Sequence, residues 1–485
     1  MIPYNTYIKI DRKSSFPVYL QVSQQLAEAI QKGHIPEGTK LPGTRKLAQL
    51  IGLHRNTVSS SFQVLESQGW IISRPRQGTF VQKSPGNRQA TGVRNGFPAK
   101  TGFYFHKKTI LDNPYTNGPA TVRMDDGLPD MRLTHMDYLA RLFHINMKRR
   151  GTLQKLSADS TVARGYYREN LCNYLNRTRG LGAGTGQVLV TRNQELAAYI
   201  VAETLLNPGD RVVVGTPGYF AANMTLQKTG AKILTVPADE RGLDVDALEK
   251  LCRQQKIRMV YLTPHYHYPT TVPLSPERRM TLLDLAAKNG FIILEDDLDY
   301  DFNYTDEGPL LPLAALDTCG MVVYVGTFGQ TLPSAFRSGF VVAPDPLIAE
   351  MEKLQNLMDR FGDVLGEMAM GEMIAEGEIY NYLRQCTVEY RKRRDQMACS
   401  LVSGLGHLID FQVPDGGLAT WTNWPETINL MRFSRLCARE GLHIPPYLLY
   451  QSRLCSGVRM GFGSLSVREI KTAIEIMQHS TQYCV

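Results

Sequence analysis

Residues 322–344 read VVYVGTFGQTLPSAFRSGFVVAP. Two apolar runs, 322–326 and 339–343, flank small and polar residues without apolar periodicity, which predicts a buried strand, a tight loop and a returning strand. In and beside the loop stand a hydroxyl, a carboxamide and a guanidinium, those of Thr327, Gln330 and Arg337. A guanidinium fork suits an anion. A carboxamide nitrogen gives its lone pair to its own carbonyl and does not attack an aldehyde as an amine does.

Outward from this stretch the same pattern recurs. Apolar strands are expected at 187–191, 211–214, 232–236, 259–262 and 291–294, separated by amphipathic helical segments, with Gly230 and Gly290 just before the next strand. Strands that are apolar throughout and alternate with helices predict an α/β domain over 121–485 with a mainly parallel sheet covered on both faces, and the last hundred residues add a small α+β subdomain.

The motifs of this region resemble aminotransferase class I, a fold-type-I pyridoxal-phosphate family. Gly326, Thr327, Phe328, Thr331, Leu332, Pro333, Arg337 and Gly339 match its pattern G-[ST]-[FL]-S-K-[TS]-L-x-P followed by Arg-x-G, with Gly329 in place of the serine and Gln330 in place of the lysine that forms the imine. Six more motifs appear in family order: ARGYYRENLCNYL, VLVTRNQELAAY, NPGDRVVVGTPGYF, TPHYHYPTTVPL, ILEDDLDYDF and GVRMGF. The resemblance implies that Arg337 and Thr327 hold phosphate and that Tyr219 stacks on a ring, with His267 and Tyr268 in place of a ring-facing Gln-[FY] pair. It gives Asp296 two readings, partner of a pyridine nitrogen or ordinary strand-end acid. Arg459 is either the holder of a substrate carboxylate or a member of a structural ion pair. Leu298 stands where the family's tyrosine bonds the ring hydroxyl, and Ala221 where an arginine is frequent. Arg192-Asn193-Gln194 replaces the glycine-led phosphate cradle, which needs close backbone approach. Three losses in one site, the lysine at Gln330, the tyrosine at Leu298 and the glycine cradle at Asn193, predict that transamination is gone, because it depends on the imine as an electron sink. Pyridoxal phosphate is then either a non-covalent occupant or absent, and an amino-acid-like anion on Arg337 and Arg459 is the other candidate.

Charge divides the chain. Residues 1–111 hold 16 Lys+Arg against 4 Asp+Glu, leaving −4 on the other 374 residues, although the whole is +8. A basic head on a mildly acidic body points to a nucleic-acid partner for the head. In residues 1–83, Val18, Val22, Leu26 and Ile30 recur every fourth position after Pro17, predicting a helix closed by Gly33. A second helix is expected at 44–51 with Thr44 as its cap, and a third at 55–68 after Gly52. Two short strands, 70–74 and 78–81, form a wing. LPGTRKLAQLIGLHRNTVSSSFQVLESQGWI and RPRQGTFV resemble the winged helix-turn-helix of GntR-type regulators. That resemblance places Arg45, Arg55, Asn56 and Thr57 toward the major groove and Arg74, Gln77, Gly78 and Thr79 against backbone or minor groove.

Residues 84–120 are rich in Gly, Pro, Asn and basic side chains and are expected to be a flexible linker, with Phe103, Tyr104 and Phe105 docking on a flanking domain. Head, linker and body together resemble the MocR/GabR-type subgroup. This implies a DNA-binding transcription regulator that recognises double-stranded operator DNA, dimerises through its body and senses a small ligand there. Two alternatives stand beside it: a working enzyme with a DNA-binding appendage, which needs another lysine such as Lys228 or Lys232, and a purely structural body with an empty pocket. The eight cysteines have no paired or metal-ligand spacing. No apolar run approaches the roughly 18 residues of a membrane span and no export leader is present, so a cytoplasmic protein is expected.

Overall fold

Parallel strands built almost wholly from buried side chains set the frame of the body. The computed structural model describes residues 2–14, 16–82, 99–112, 120–150, 161–329, 339–360, 362–453 and 455–484, with 161–164 described by backbone alone. The chain divides into two compact units, Met1–His106 and Lys107–Val485. The division falls inside the expected linker.

In the head, the helix Val18–Gln31 packs Val22 and Leu26 fully inside. The helices Thr44–Ile51 and Arg55–Ser67 follow around a left-handed Gly52, φ 65°. Strands β1 (Ile71–Arg74) and β2 (Gly78–Val81) pair antiparallel, Ile71 opposite Val81. Thr44 is not the expected cap: it is the first helical residue, and Gly43 precedes it without a side-chain bond. Glycine is tolerated there because the orphan amides remain open to water. The third helix is capped by His54, whose Nδ1 accepts from the Asn56 N–H at 3.3 Å. Leu26, Leu47, Val58, Leu65, Ile71 and Val81 close one small core.

Phe103, Tyr104 and Phe105 do not dock as expected. They are 72%, 82% and 52% exposed.

The body begins with β3 (Val122–Arg123), followed by β4 (Val188–Thr191), β5 (Arg211–Thr216), β6 (Lys232–Asp239), β7 (Gly242–Leu243), β8 (Met259–Leu262), β9 (Ile292–Asp297), β10 (Val322–Thr327) and β11 (Gly339–Val342). Eight of these form one sheet in the order β4-β11-β10-β9-β8-β5-β6-β7. The run β10-β9-β8-β5-β6 is parallel, while β11 pairs antiparallel with β10 and β4, and β7 with β6. β4, β8 and β10 are buried at every position, as a sheet covered on both faces requires.

The smaller subdomain contains β12 (Asp410–Phe411), β13 (Ala419–Asn423), β15 (Leu449–Gln451) and β16 (Ser456–Gly461) in the order β12-β13-β16-β15, with the helices Glu378–Leu405, Leu430–Arg439 and Val467–Thr481. It is larger than expected at both ends. β14 (Leu442–His443) pairs with β3, and Val122 and Met124 lie in its core. The first residues of the body thus complete the last subdomain.

Candidate functional site

Parallel strands present their carboxyl ends on one edge of the sheet, where an open α/β fold binds its ligands. Here β5 leads to Tyr219, β8 to Thr263–Tyr268, β9 ends in Asp296–Asp297, and β10 ends at Thr327. Tyr219, Tyr266, Tyr268, Asp296, Leu298 and Asp299 line a small pocket at this edge. Gln330 and Arg337 lie outside the described residues.

Asp296 is 4% exposed, and each of its oxygens accepts one hydrogen bond. The Tyr261 hydroxyl donates to Oδ2 at 2.8 Å, and the Gln194 amide donates to Oδ1. Burial pushes the carboxyl up to about 7 despite those two hydrogen bonds. Its neighbour Asp297 falls the other way: burial raises it, but His265 and Arg179 outweigh burial and hold it below the usual carboxylate range. Adjacent acids therefore hold different charge at neutral pH. Asp299, 6% exposed, is raised to about 6 by burial, with Arg459 opposing.

Arg459 on β16 is 1% exposed, and two of its five N–H donors are engaged within the fold. Nε donates to the Asp126 carbonyl at 2.8 Å and Nη1 to the Pro269 carbonyl at 3.1 Å. Nη2 stands 3.6 Å from Asp299 Oδ2, and the guanidinium lies 4.3 Å from the Tyr268 ring centroid. Tyr268 donates its hydroxyl to Asp126 Oδ2 at 3.3 Å. Tyr219 packs against Tyr268, the rings tilted by 48° with centroids 4.3 Å apart. His267 is bonded through Nδ1 to Thr270 Oγ1 at 2.8 Å, and burial, assisted by Arg459, lowers it to about 4, so it is a neutral imidazole. A Cβ on Gly215 would come within 2.6 Å of its Nε2, which is why β5 carries a glycine there. Thr271, a β-branched residue, sits at φ 61°, a strained turn beside the pocket.

These residues test the fit of pyridoxal phosphate. Asn193 caps the helix Gln194–Leu205 with its own side chain, Oδ1 accepting from the Leu196 N–H at 2.8 Å. The amide that a phosphate oxygen would need is thereby taken, and Glu195 adds an acid to the first turn. Arg192 is turned to Asp359, donating at 2.6 and 3.1 Å. The Thr327 hydroxyl accepts from the Gly329 N–H at 2.8 Å. Each Asp296 oxygen keeps a second lone pair for a ring nitrogen, so among the described residues it is the helix start, capped by Asn193 and carrying Glu195, that departs from a phosphate cradle.

Asp126, Asp297, Asp299, His265 and Tyr261 are site residues that the sequence reading missed. The run EDDLD was a signal for two of them, since three acids at the end of an apolar strand need a reason to be there. Asp126 gave none, because only tertiary packing brings it to Arg459.

In the head, Arg45, Arg55 and Asn56 are exposed at the starts of their helices, with Thr57 half-buried one residue on. Among the described residues no carboxylate pairs with either arginine. Arg74 ends β1, its guanidinium 5.4 Å from the Phe80 ring centroid, and Gln77 lies in the exposed turn. Thr79 bonds back to the head, its carbonyl accepting from the Leu41 N–H at 2.9 Å. Gly78 has φ 111°, a conformation that L side chains rarely adopt, so the wing's backbone explains this glycine.

Residues 161–477 match the family described as aminotransferase class I and II, and residues 18–81 match bacterial regulatory proteins of the gntR family. The chain is 25% identical over 478 residues to a probable rhizopine catabolism regulatory protein, MocR, of Rhizobium meliloti, covering 97% of this chain and 94% of that one. It is 28% identical over 448 residues to the HTH-type transcriptional regulator TauR of Rhodobacter capsulatus, with 88% of each covered. A Pyrococcus horikoshii kynurenine aminotransferase, solved in complex with PMP, superposes with a TM-score of 0.71 at 23% identity over 78% of this chain and 97% of that one.

Proposed function

The chain belongs to the aminotransferase class I and II family and, with its gntR-type head, is a DNA-binding transcription regulator of the MocR type; from that premise we propose that its body senses a small ligand without catalysis. The observation that carries this is the joint loss of nucleophile and cradle: Gln330 where an amine belongs, and Asn193 capping the helix end where a phosphate belongs. An amide at position 330 forms no imine. Pyridoxal phosphate enters this reading only as a non-covalent occupant.

Arg45, Arg55, Asn56 and Thr57 then face operator DNA, with the wing beside them, and the body joins two copies so that two heads meet two half-sites. No helix among the described residues is long and apolar enough to cross a membrane, and a DNA-binding head works where the DNA is, so the proposal places the protein in the cytoplasm.

The test is an absorbance spectrum of the purified full-length protein with pyridoxal phosphate, before and after borohydride, beside a gel-shift titration on operator DNA with and without ligand. We expect no band that reduction fixes and an operator affinity that ligand changes. A reduced adduct on any lysine overturns the non-catalytic reading.

A further inference from the structure

The tip of the wing places a residue where its backbone is strained. Arg74 pairs with Gly78 across the hairpin, and its carbonyl accepts from the Gln77 N–H at 3.1 Å, so Pro75 and Arg76 hold the two central positions of a tight turn. Proline fixes its own φ at a negative value, and Arg76 follows in the left-handed region at φ 62°. A turn of that kind calls for glycine or asparagine at its third residue, because a larger side chain crowds the backbone there. Among the described residues, Arg76 and Thr271 are the two that take a left-handed φ without being glycine.

Contacts within the head do not account for the arginine. Arg76 is exposed and, among the described residues, makes no ion pair, ring contact or side-chain hydrogen bond, whereas Arg74 and Lys40 lie 5.4 and 5.9 Å from the Phe80 ring centroid. Residues 69–83 contain no Asp or Glu, so the hairpin offers its tip no counter-charge. A strained position without an internal partner has its reason outside the protein.

Resting on the regulator reading above, we propose that Arg76 enters the minor groove beside the half-site and selects A·T pairs there. A run of A·T pairs narrows that groove and strengthens its negative potential, which draws in a guanidinium. Those pairs also lack the guanine amino group that projects into the groove at G·C pairs. Glycine at position 76 would relax the turn and leave the tip uncharged. Arg76→Gly therefore separates two properties that a purely structural residue would lose together: the turn holds while the A·T preference disappears.

The test lets the full-length protein and its Arg76→Gly variant each select duplexes from a randomised library. Both should enrich the same half-site, and the natural chain alone should enrich A·T runs beside it. On the duplex selected by the natural chain, replacing the flanking A·T pairs by G·C should weaken binding about tenfold, as the loss of one arginine contact does. Replacing them by inosine·cytosine, which keeps the minor-groove edge of A·T and changes the major-groove edge, should leave the affinity within about twofold. The variant should bind all three duplexes alike, and hydrogen exchange of its wing amides should be no faster than in the natural chain. Loss of affinity on inosine·cytosine equal to that on G·C overturns the proposal, and so does an A·T preference that persists in the variant. Faster wing exchange in the variant overturns it too, since the arginine would then be holding the turn. If the natural chain enriches a half-site with random flanks, the Arg76 assignment falls and the regulator stands; if it enriches no duplex at all, the regulator reading itself fails.

Discussion

Asp296 shows how far one buried side chain can be tied up by its neighbours. Its two oxygens serve Tyr261 and Gln194, and burial lifts it from 3.8 to about 7. An acid whose folded value lies above its unfolded one stabilises the fold fully below about 3.8, and that contribution is lost as pH rises through about 7. Asp296→Asn carries no such loss. Urea unfolding of the body at pH 5 and pH 8 should therefore show the natural chain losing about 2–3 kcal/mol relative to the variant, at roughly 1.4 kcal/mol per pH unit. An equal difference at both pH values would refute the assignment. Position 330 makes the second argument at this scale. A lysine there restores an amine but not the cradle, whose helix end Asn193 caps. Gln330→Lys is expected to give no borohydride-fixed pyridoxal phosphate adduct by mass spectrometry, and a stoichiometric adduct would show that the site still accepts the cofactor.

The helix Gln194–Leu205 carries the element-scale argument. A helix start offers free amides to an anion, and here the chain fills one itself. Asn193→Ala should cost the body about 1 kcal/mol, as lost caps usually do, and lower its melting temperature by about 2–4 °C. A calorimetric scan without a measurable shift would mean that the cap contributes nothing. β9 illustrates a different limit. Its apolar residues were readable as a buried strand, but Asp296 and Asp297 continue it and are equally buried, at 4% and 2% exposure. Composition alone would end the strand before them, because a charged residue rarely belongs inside. Tyr261, Gln194, Tyr324 and His265 provide the partners that make their burial possible.

For the whole molecule, charge and function divide along the same line. The basic head opposes an acidic body, and the arginines at its helix starts are exposed. Arg55→Ala should weaken operator binding and, where Arg55 meets a phosphate, shallow the salt dependence by about one unit of log–log slope. Gel shifts at several salt concentrations measure both. Unchanged affinity and slope would take the helix Arg55–Ser67 out of the groove.

What the sequence determined by itself was the order of elements, the two-part chain and the carboxamide at position 330. Those depend on local period, composition and residue identity: β8 was legible to the residue because four consecutive apolar side chains need cover on both faces. Only the tertiary structure decided what the retained side chains do. Arg459 and Asp126 are 333 positions apart, and no periodicity encodes their bond. Asn193 read as a missing glycine and proved to be a cap, while Tyr219 read as a stacking ring and found Tyr268. A side chain's role is set by which donors and faces arrive through space, and these are settled only when the distant elements pack.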